Sequence, residues 1–314
     1  PRPGPRVVLV LFDELDRANV GLGTPAAARL PALSAFARQA VDFRSAIAPE
    51  GARTLISLPS VTTGRTVVAS DPSGPNDVQI RFSNGEERLW SEPSNVFRIA
   101  RAEGVDAYLA GWYIPYCRMF AADVSSCSWR SAYPLRPESV AAGLRLHALL
   151  FWKSIPGLNR VSLWLGWRQD QSRGLAWHEE SYREVQARAL EGVRDPRYRL
   201  VFVHYPIPHV SSDHRGSVVG NQILADQALG EVRAAMEADG SWDQTAVIVM
   251  SDHGYRAFPG LRHPVLLVKP PLSSGAASVT EPVRLERVFH LVLGLLRGEV
   301  RTAGDVVAVV SATE

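Results

Sequence analysis

The stretch "AVIVMSDHGY" (246–255) runs apolar until Ser251 and then sets a carboxylate, Asp252, directly beside an imidazole, His253. Neither side chain tolerates burial without partners. Gly254 lets the backbone turn close to a ligand, and one oxygen with one nitrogen donor is a pair that binds divalent cations. A second acidic end follows "RVVLVLF" (6–12), where Asp13 and Glu14 stand. Between these two places lies a hydroxyl-rich segment, "PEGARTLISLPSVTTG" (49–64), in which Thr54 opens an expected helix. Free amides and the dipole at such a helix start favour an anion. A cation held by the carboxylates and the imidazole would lower the pKa of the Thr54 hydroxyl and stabilise charge on a transferring phosphoryl or sulfuryl group. Each residue also has a plainer use: a strand-end Asp as a turn or cap residue, Thr54 as an N-cap.

Positioning these residues requires strands that end where the acids begin. "RVVLVLF", "RLVFVHY" (199–205) and "TAVIVMS" (245–251) are continuous apolar runs suited to strands covered on both faces, and "VDAYLAG" (105–111) and "PVLLVK" (264–269) are weaker candidates. Helical periodicity runs through 30–40, 95–104, 178–193, 221–240 and 284–298. Strands alternating with helices predict an α/β fold, a mostly parallel central sheet with helices on both faces. In such sheets ligands gather at the carboxyl ends of the strands, where Asp13, His204 and Asp252 fall. Residues 66–92 read as a loop or small hairpin insertion rather than core. The apolar segment 144–167, broken by Pro156 and Gly157, reads as a helical hairpin on the body, or else as a lid or membrane-facing surface.

A hydrophobic content of 46% over 314 residues supports a sizeable core, enough for one large domain or two smaller ones. A formal charge of +2, from 34 basic and 32 acidic residues, gives no reason to expect nucleic acid as a partner. Cys117 and Cys127 are close enough to close a disulfide loop, or are two buried thiols. The chain begins with Pro, so a fragment is expected, with any signal or anchor lying upstream; no run of about 18 apolar residues occurs within it.

Taken in order and separation, "VVLVLFDE", "TLISLPSVTTG" and "VIVMSDHG" resemble the alkaline phosphatase and sulfatase superfamily. In sulfatases the nucleophile lies ten residues before the Gly of a closing "LLTG", and Thr54 lies ten before Gly64. "LPALSAFARQAVDF" (30–43) and 220–254 extend the likeness, which covers most of the chain except roughly 66–92 and 130–198. The resemblance implies one alkaline-phosphatase-like catalytic domain over 1–314, with insertions in those two regions. It makes Asp13 the first-strand metal ligand, Thr54 the metal-contacting nucleophile, and Asp252 with His253 the returning ligands. Glu14 takes the second position of the sulfatases' acidic pair, as an assisting ligand or a solvent-facing residue. Arg53 is placed to neutralise a bound anion or simply to be solvated. "VHYPIPHVSSDH" (203–214) is similar to the superfamily's H-x-P-H-x-P region, which points to His209, with His204 behind it, as substrate contacts. His263, before the "PVLLVK" strand, would touch metal or substrate, while Lys269 after it reads as structural.

Two departures shape the expected chemistry. Sulfatases convert a Cys or Ser to formylglycine, and Thr54 cannot become that aldehyde, so sulfate-ester hydrolysis by that route is not expected. A second metal site, as in the phosphatases and nucleotide phosphodiesterases, needs an acid with His four residues later; Asp213 and His214 are adjacent, so one divalent ion is expected, with Zn, Mn, Mg and Ca all suited to these ligands. The resemblance thus implies a phosphotransferase or phosphodiester hydrolase acting on an anionic ester, lipid-linked or glycan-linked, of a bacterial envelope. The alternatives are a sulfatase-like domain that binds without turnover, or a sulfatase-type ester hydrolase. "GWYIPYC" (111–117) also resembles bacterial sulfatase-like proteins, many with membrane segments beside a soluble catalytic domain. That likeness favours a Cys117–Cys127 disulfide and a periplasmic location tethered to the inner membrane. A nucleophile-elbow serine hydrolase would need G-x-S-x-G, which the chain lacks.

Overall fold

The computed structural model describes residues 5–49, 53–72, 74–131, 144, 171–209, 218–255, 263–272 and 276–312. Its centre is an eight-stranded sheet in the order β12 (Ala277–Val279), β2 (Val41–Phe43), β11 (Leu266–Lys269), β10 (Thr245–Ser251), β1 (Arg6–Asp13), β9 (Leu200–Pro208), β7 (Ala107–Trp112), β8 (Ser126–Arg130). Only β11 runs against the others, pairing antiparallel with β10 and β2. The remaining pairings are parallel. The expected mostly parallel α/β sheet is therefore the observed one, and five contiguous strands, β10 to β8, point their carboxyl ends the same way.

The β1 strand shows why the sheet is covered on both faces. Val7, Leu9 and Leu11 join a core with Ile56, Leu58 and the helix Val288–Arg297, whereas Val8, Val10 and Phe12 join a second core with Leu33, Val185 and Leu229. Alternation sends successive side chains to opposite faces, so a strand buried on both must be apolar throughout. The second face is closed by helices Pro31–Ala37, Gln171–Arg194 and Val218–Ala238.

Residues 66–92, expected as a loop or small hairpin insertion rather than core, are antiparallel strands but contribute to the core. They form a three-stranded antiparallel sheet, β4 (Val67–Asp71), β5 (Gln79–Phe82) and β6 (Glu87–Leu89). Val67, Val78, Ile80, Phe82 and Trp90 are buried in the first core. The polar loops between these short strands hid the period-two pattern of "VQIRF", whose inward side chains are Val78, Ile80 and Phe82. A short pair, β3 (Ala46–Ile47) with β13 (Val283–Arg284), ties the loop after β2 to the C-terminal helices. Cys117 and Cys127 are joined by a disulfide. The segment 145–167 of the expected helical hairpin or lid lies outside the described residues, as do Asp213 and His214. No helix among the described residues is long and apolar enough to cross a membrane.

Candidate active site

Two strand ends and one helix start build the site. β1 delivers Asp13, 2% exposed, and the chain then turns at Glu14 with φ 65, a left-handed conformation uncommon outside glycine. That turn aims the Glu14 N–H at Asp252 Oδ1, 3.2 Å away. β10 ends at Ser251, whose buried hydroxyl accepts the Leu15 N–H at 2.7 Å and lies 2.9 Å from the Phe12 carbonyl and 2.8 Å from that of His253. One serine thus clips the two strand ends together.

Beyond it, Asp252 and His253 are fully buried. Asp252 Oδ1 accepts the N–H groups of Glu14 and, at 2.8 Å, of His253, while Oδ2 has no hydrogen-bond partner among the described residues. The His253 ring sets Nδ1 2.9 Å from the Gly254 carbonyl, which can only accept, so Nδ1 carries the proton. The Nε2 lone pair, which has no hydrogen-bond partner among the described residues, then faces Asp252 Oδ2 at 3.3 Å and Asp13 Oδ1 at 3.8 Å. Ligand atoms of Asp13, Asp252 and His253 all lie within 4.8 Å of one another.

Thr54 is the first residue of the helix Thr54–Thr63 and is 6% exposed. That helix has almost no polar face; nearly every residue from Thr54 to Thr63 is buried, and Gly64 stops it with φ 69. Its side chain lies near enough to the Asp252 carboxylate to help hold that carboxyl down. Burial pushes the Asp252 carboxyl up, but His253, His204, the Thr54 hydroxyl and the Glu14 N–H together hold it below the usual carboxylate range.

This donor set fits a divalent cation. Carboxylate oxygens and an imidazole lone pair converge with no proton between them, an arrangement that is repulsive in a buried place unless a positive charge joins it. The second bond of His253, to the Gly254 carbonyl, fixes the tautomer a metal ligand requires. Among the described residues, this is the one cluster of three or more such side chains.

Around the cluster, the other expected residues separate. His204, in β9, is fully buried; burial pushes its imidazole down to about 4, partly offset by Asp252. Its Nδ1 lies 2.9 Å from the Tyr116 hydroxyl. His209 follows the cis Ile207–Pro208 bond and shares the Trp112 indole with His204, at ring distances of 6.0 and 6.3 Å. Glu14 is buried but is not among the three clustered ligands. Arg53 is exposed and caps the helix with its carbonyl, not its side chain. His263 sets Nδ1 2.9 Å from the Ala46 carbonyl, outside the cluster. Lys269 donates to the carbonyls of Trp242 and Thr245, both at 2.9 Å, a structural role. Sequence reasoning passed over Ser251, Trp112, Tyr116 and His178, the last 5.5 Å from the Trp112 ring. Trp112 and Tyr116 both sit inside "GWYIPYC", so the segment was visible while the pairing of its residues was not.

A doubly covered, mostly parallel sheet with a buried acid–imidazole cluster at its carboxyl edge and a threonine at a nearby helix start defines a phosphate-ester hydrolase fold of the alkaline phosphatase superfamily. The profile of the type I phosphodiesterase / nucleotide pyrophosphatase family matches residues 7–281, and the chain belongs to that family. No curated protein sequence matches it significantly. Solved structures show the same fold at low identity. Phosphonate monoester hydrolase from Silicibacter pomeroyi is 13% identical, with a TM-score of 0.61 over 99% of this chain and 77% of that one. Murine ectonucleotide pyrophosphatase / phosphodiesterase 5, in an inactive form complexed with AMP, is 11% identical, with a TM-score of 0.57 over 93% and 95%. A protein in the alkaline phosphatase superfamily from Vibrio parahaemolyticus is 14% identical, with a TM-score of 0.52 over 93% and 66%.

Proposed function

We propose that the chain is a metal-dependent phosphodiester hydrolase or phosphotransferase with Thr54 as nucleophile, acting on an envelope lipid or glycan ester. The observation that carries this reading is the buried convergence of Asp13, Asp252 and His253, with Thr54 at the helix start near enough to hold the Asp252 carboxyl down. A divalent cation (Zn, Mn, Mg or Ca) held by Asp13, Asp252, His253 and the Thr54 hydroxyl supplies a lowered hydroxyl pKa and a positive partner for the phosphoryl oxygens. Thr54 Oγ attacks phosphorus, the new Oγ–P bond forming as the bond to the leaving alcohol breaks. Water or a second alcohol then attacks the phosphothreonine, releasing Oγ. His209, His204, Arg53 and His263 are the groups assigned to the anionic ester, with Glu14 assisting the metal. The burial of Thr54 supports this, because developing charge is met by fixed partners rather than by water.

The family profile over 7–281 supports reading 1–314 as one catalytic unit. The Cys117–Cys127 disulfide supports an extracytoplasmic compartment. Tethering to the inner membrane belongs to the proposal and is checked by fractionating cells that express the native gene product.

The test is the Thr54→Ala variant on bis(p-nitrophenyl) phosphate. Turnover falls about 1,000-fold or more, while elemental analysis still finds about one divalent ion per chain. A protein that binds esters without turnover shows no Thr54-dependent rate. Full activity after stripping all metal removes the cation from the reading.

A further inference from the structure

We infer that Tyr116 is a positioning residue that locks His204 with its proton on Nε2, making that nitrogen a hydrogen-bond donor to an oxygen of the bound ester rather than a metal ligand. The Tyr116 side chain is fully buried, and its hydroxyl lies 2.9 Å from His204 Nδ1. Among the described residues the hydroxyl has no other hydrogen-bond partner. A buried O–H that donates to nothing costs roughly 1–3 kcal/mol, so its hydrogen goes to Nδ1. Nδ1 is then the acceptor, and a neutral imidazole that accepts at Nδ1 carries its hydrogen on Nε2. Nε2 is buried and has no hydrogen-bond partner among the described residues. Its ring stands in β9 opposite Leu11, two residues before Asp13, and interacts electrostatically with Asp252.

His253 and His204 therefore carry opposite tautomers. His253 gives its Nδ1 hydrogen to the Gly254 carbonyl and offers a lone pair at Nε2. His204 receives at Nδ1 and offers a hydrogen at Nε2. The first suits a cation and the second an anionic oxygen.

The surroundings fix Tyr116 in this task. A Cβ at Gly111 would come within 2.6 Å of the Tyr116 ring, so glycine there opens the space the phenol fills. Trp90, Phe120 and Phe202 surround the ring at centroid distances of 6.3, 6.5 and 5.9 Å. The next residue, Cys117, is tied to Cys127 in β8. Gly111, Tyr116 and Cys117 of "GWYIPYC" thus serve one geometry.

The inference rests on the proposed reaction for the identity of the acceptor oxygen but not for the tautomer, so two readouts separate them. Protein labelled with 15N-histidine and loaded with metal is compared with Tyr116→Phe, the His204 signals being assigned by their loss in His204→Gln. The expected result is an Nε2-protonated His204 with a bare Nδ1, giving way to a tautomer mixture in Tyr116→Phe. On bis(p-nitrophenyl) phosphate, Tyr116→Phe loses about 10-fold or more in kcat at unchanged metal content. His204→Gln, whose amide N–H can stand in for Nε2–H, keeps more activity than His204→Ala. An Nδ1-protonated His204 in the parent protein, or a Tyr116→Phe protein with unaltered tautomer, overturns the inference. If the parent protein shows no turnover, the proposed reaction falls and the nitrogen signals alone judge Tyr116. Should Tyr116→Phe fold poorly, Gly111→Ala displaces the ring while keeping the hydroxyl, and the same tautomer shift is expected.

Discussion

Ser251 shows how much a single hydroxyl can organise. It accepts the Leu15 N–H and holds its own hydrogen between two carbonyls, those of Phe12 and His253. Replacing it by alanine strands a buried N–H at the end of β1 and releases the turn that carries Asp252 and His253. We expect Ser251→Ala to lose about 1–3 kcal/mol of stability in urea unfolding. Because partners that orient metal ligands govern affinity, its cation affinity should fall about 10-fold or more, measured by competition with a fluorescent chelator. Loss of stability with intact affinity would mean that Ser251 supports the strands alone. Residues of this kind leave little trace in the sequence. A serine before an Asp-His pair is ordinary until its partners at positions 12, 15 and 253 are known. The clustering of Asp13, Asp252 and His253 was legible for the opposite reason: acids and an imidazole straight after apolar runs violate the pattern that surrounds them.

The helix Thr54–Thr63 positions its threonine by being buried along its length rather than by having one apolar stripe. Thr62 Oγ1 receives the Trp90 indole N–H at 2.9 Å, and Ser60 Oγ accepts the Val67 N–H at 2.9 Å, so its C-terminal half is bolted to the small sheet β4–β6. Gly64 ends the helix in a left-handed conformation, and a Cβ there would stand 2.5 Å from Phe289. Gly64→Ala combines a backbone cost of about 1–2 kcal/mol with overpacking of about 1–3 kcal/mol. Its unfolding midpoint should drop accordingly in guanidinium, and a drop under half a kcal/mol would show that the C-terminal helix yields freely. Five strands of the central sheet and the helices at 31–37, 96–102, 218–238 and 288–297 were legible to within a few residues, because periodicity is a local property, whereas the short strands β2, β8 and β12 and the helix Ala303–Val310 were not. The small sheet was not, since its short strands are separated by polar loops. Nor was the reversed direction of β11, as a four-residue apolar run carries no sign of which way it points.

At the scale of the molecule, Lys269 joins the sheet to the loop before β10. Its ammonium is buried against the carbonyls of Trp242 and Thr245 and lies 5.2 Å from the Trp242 ring centre. Burial pushes it down to about 8 from an ordinary 10.5, partly countered by Asp243. Between those values the unfolded chain keeps a proton that the folded chain has lost, so the unfolded state binds more protons there. Stability relative to a Lys269→Met variant should therefore rise as pH climbs through that window. Thermal melts of both proteins at about pH 7.5 and about pH 10 check the sign; a gap that stays constant or closes the other way contradicts it. The order of the strands has a temporal meaning as well. β1 precedes β9, β10 and β11 in the chain, and β10, the neighbour that brings the imidazole, must add to the side of β1 away from β9 before β11 can pair with it. A nascent or truncated chain ending short of that strand holds Asp13 and Thr54 but lacks Asp252 and His253, so on the proposed reading competence arrives in one step with the pairing of β10.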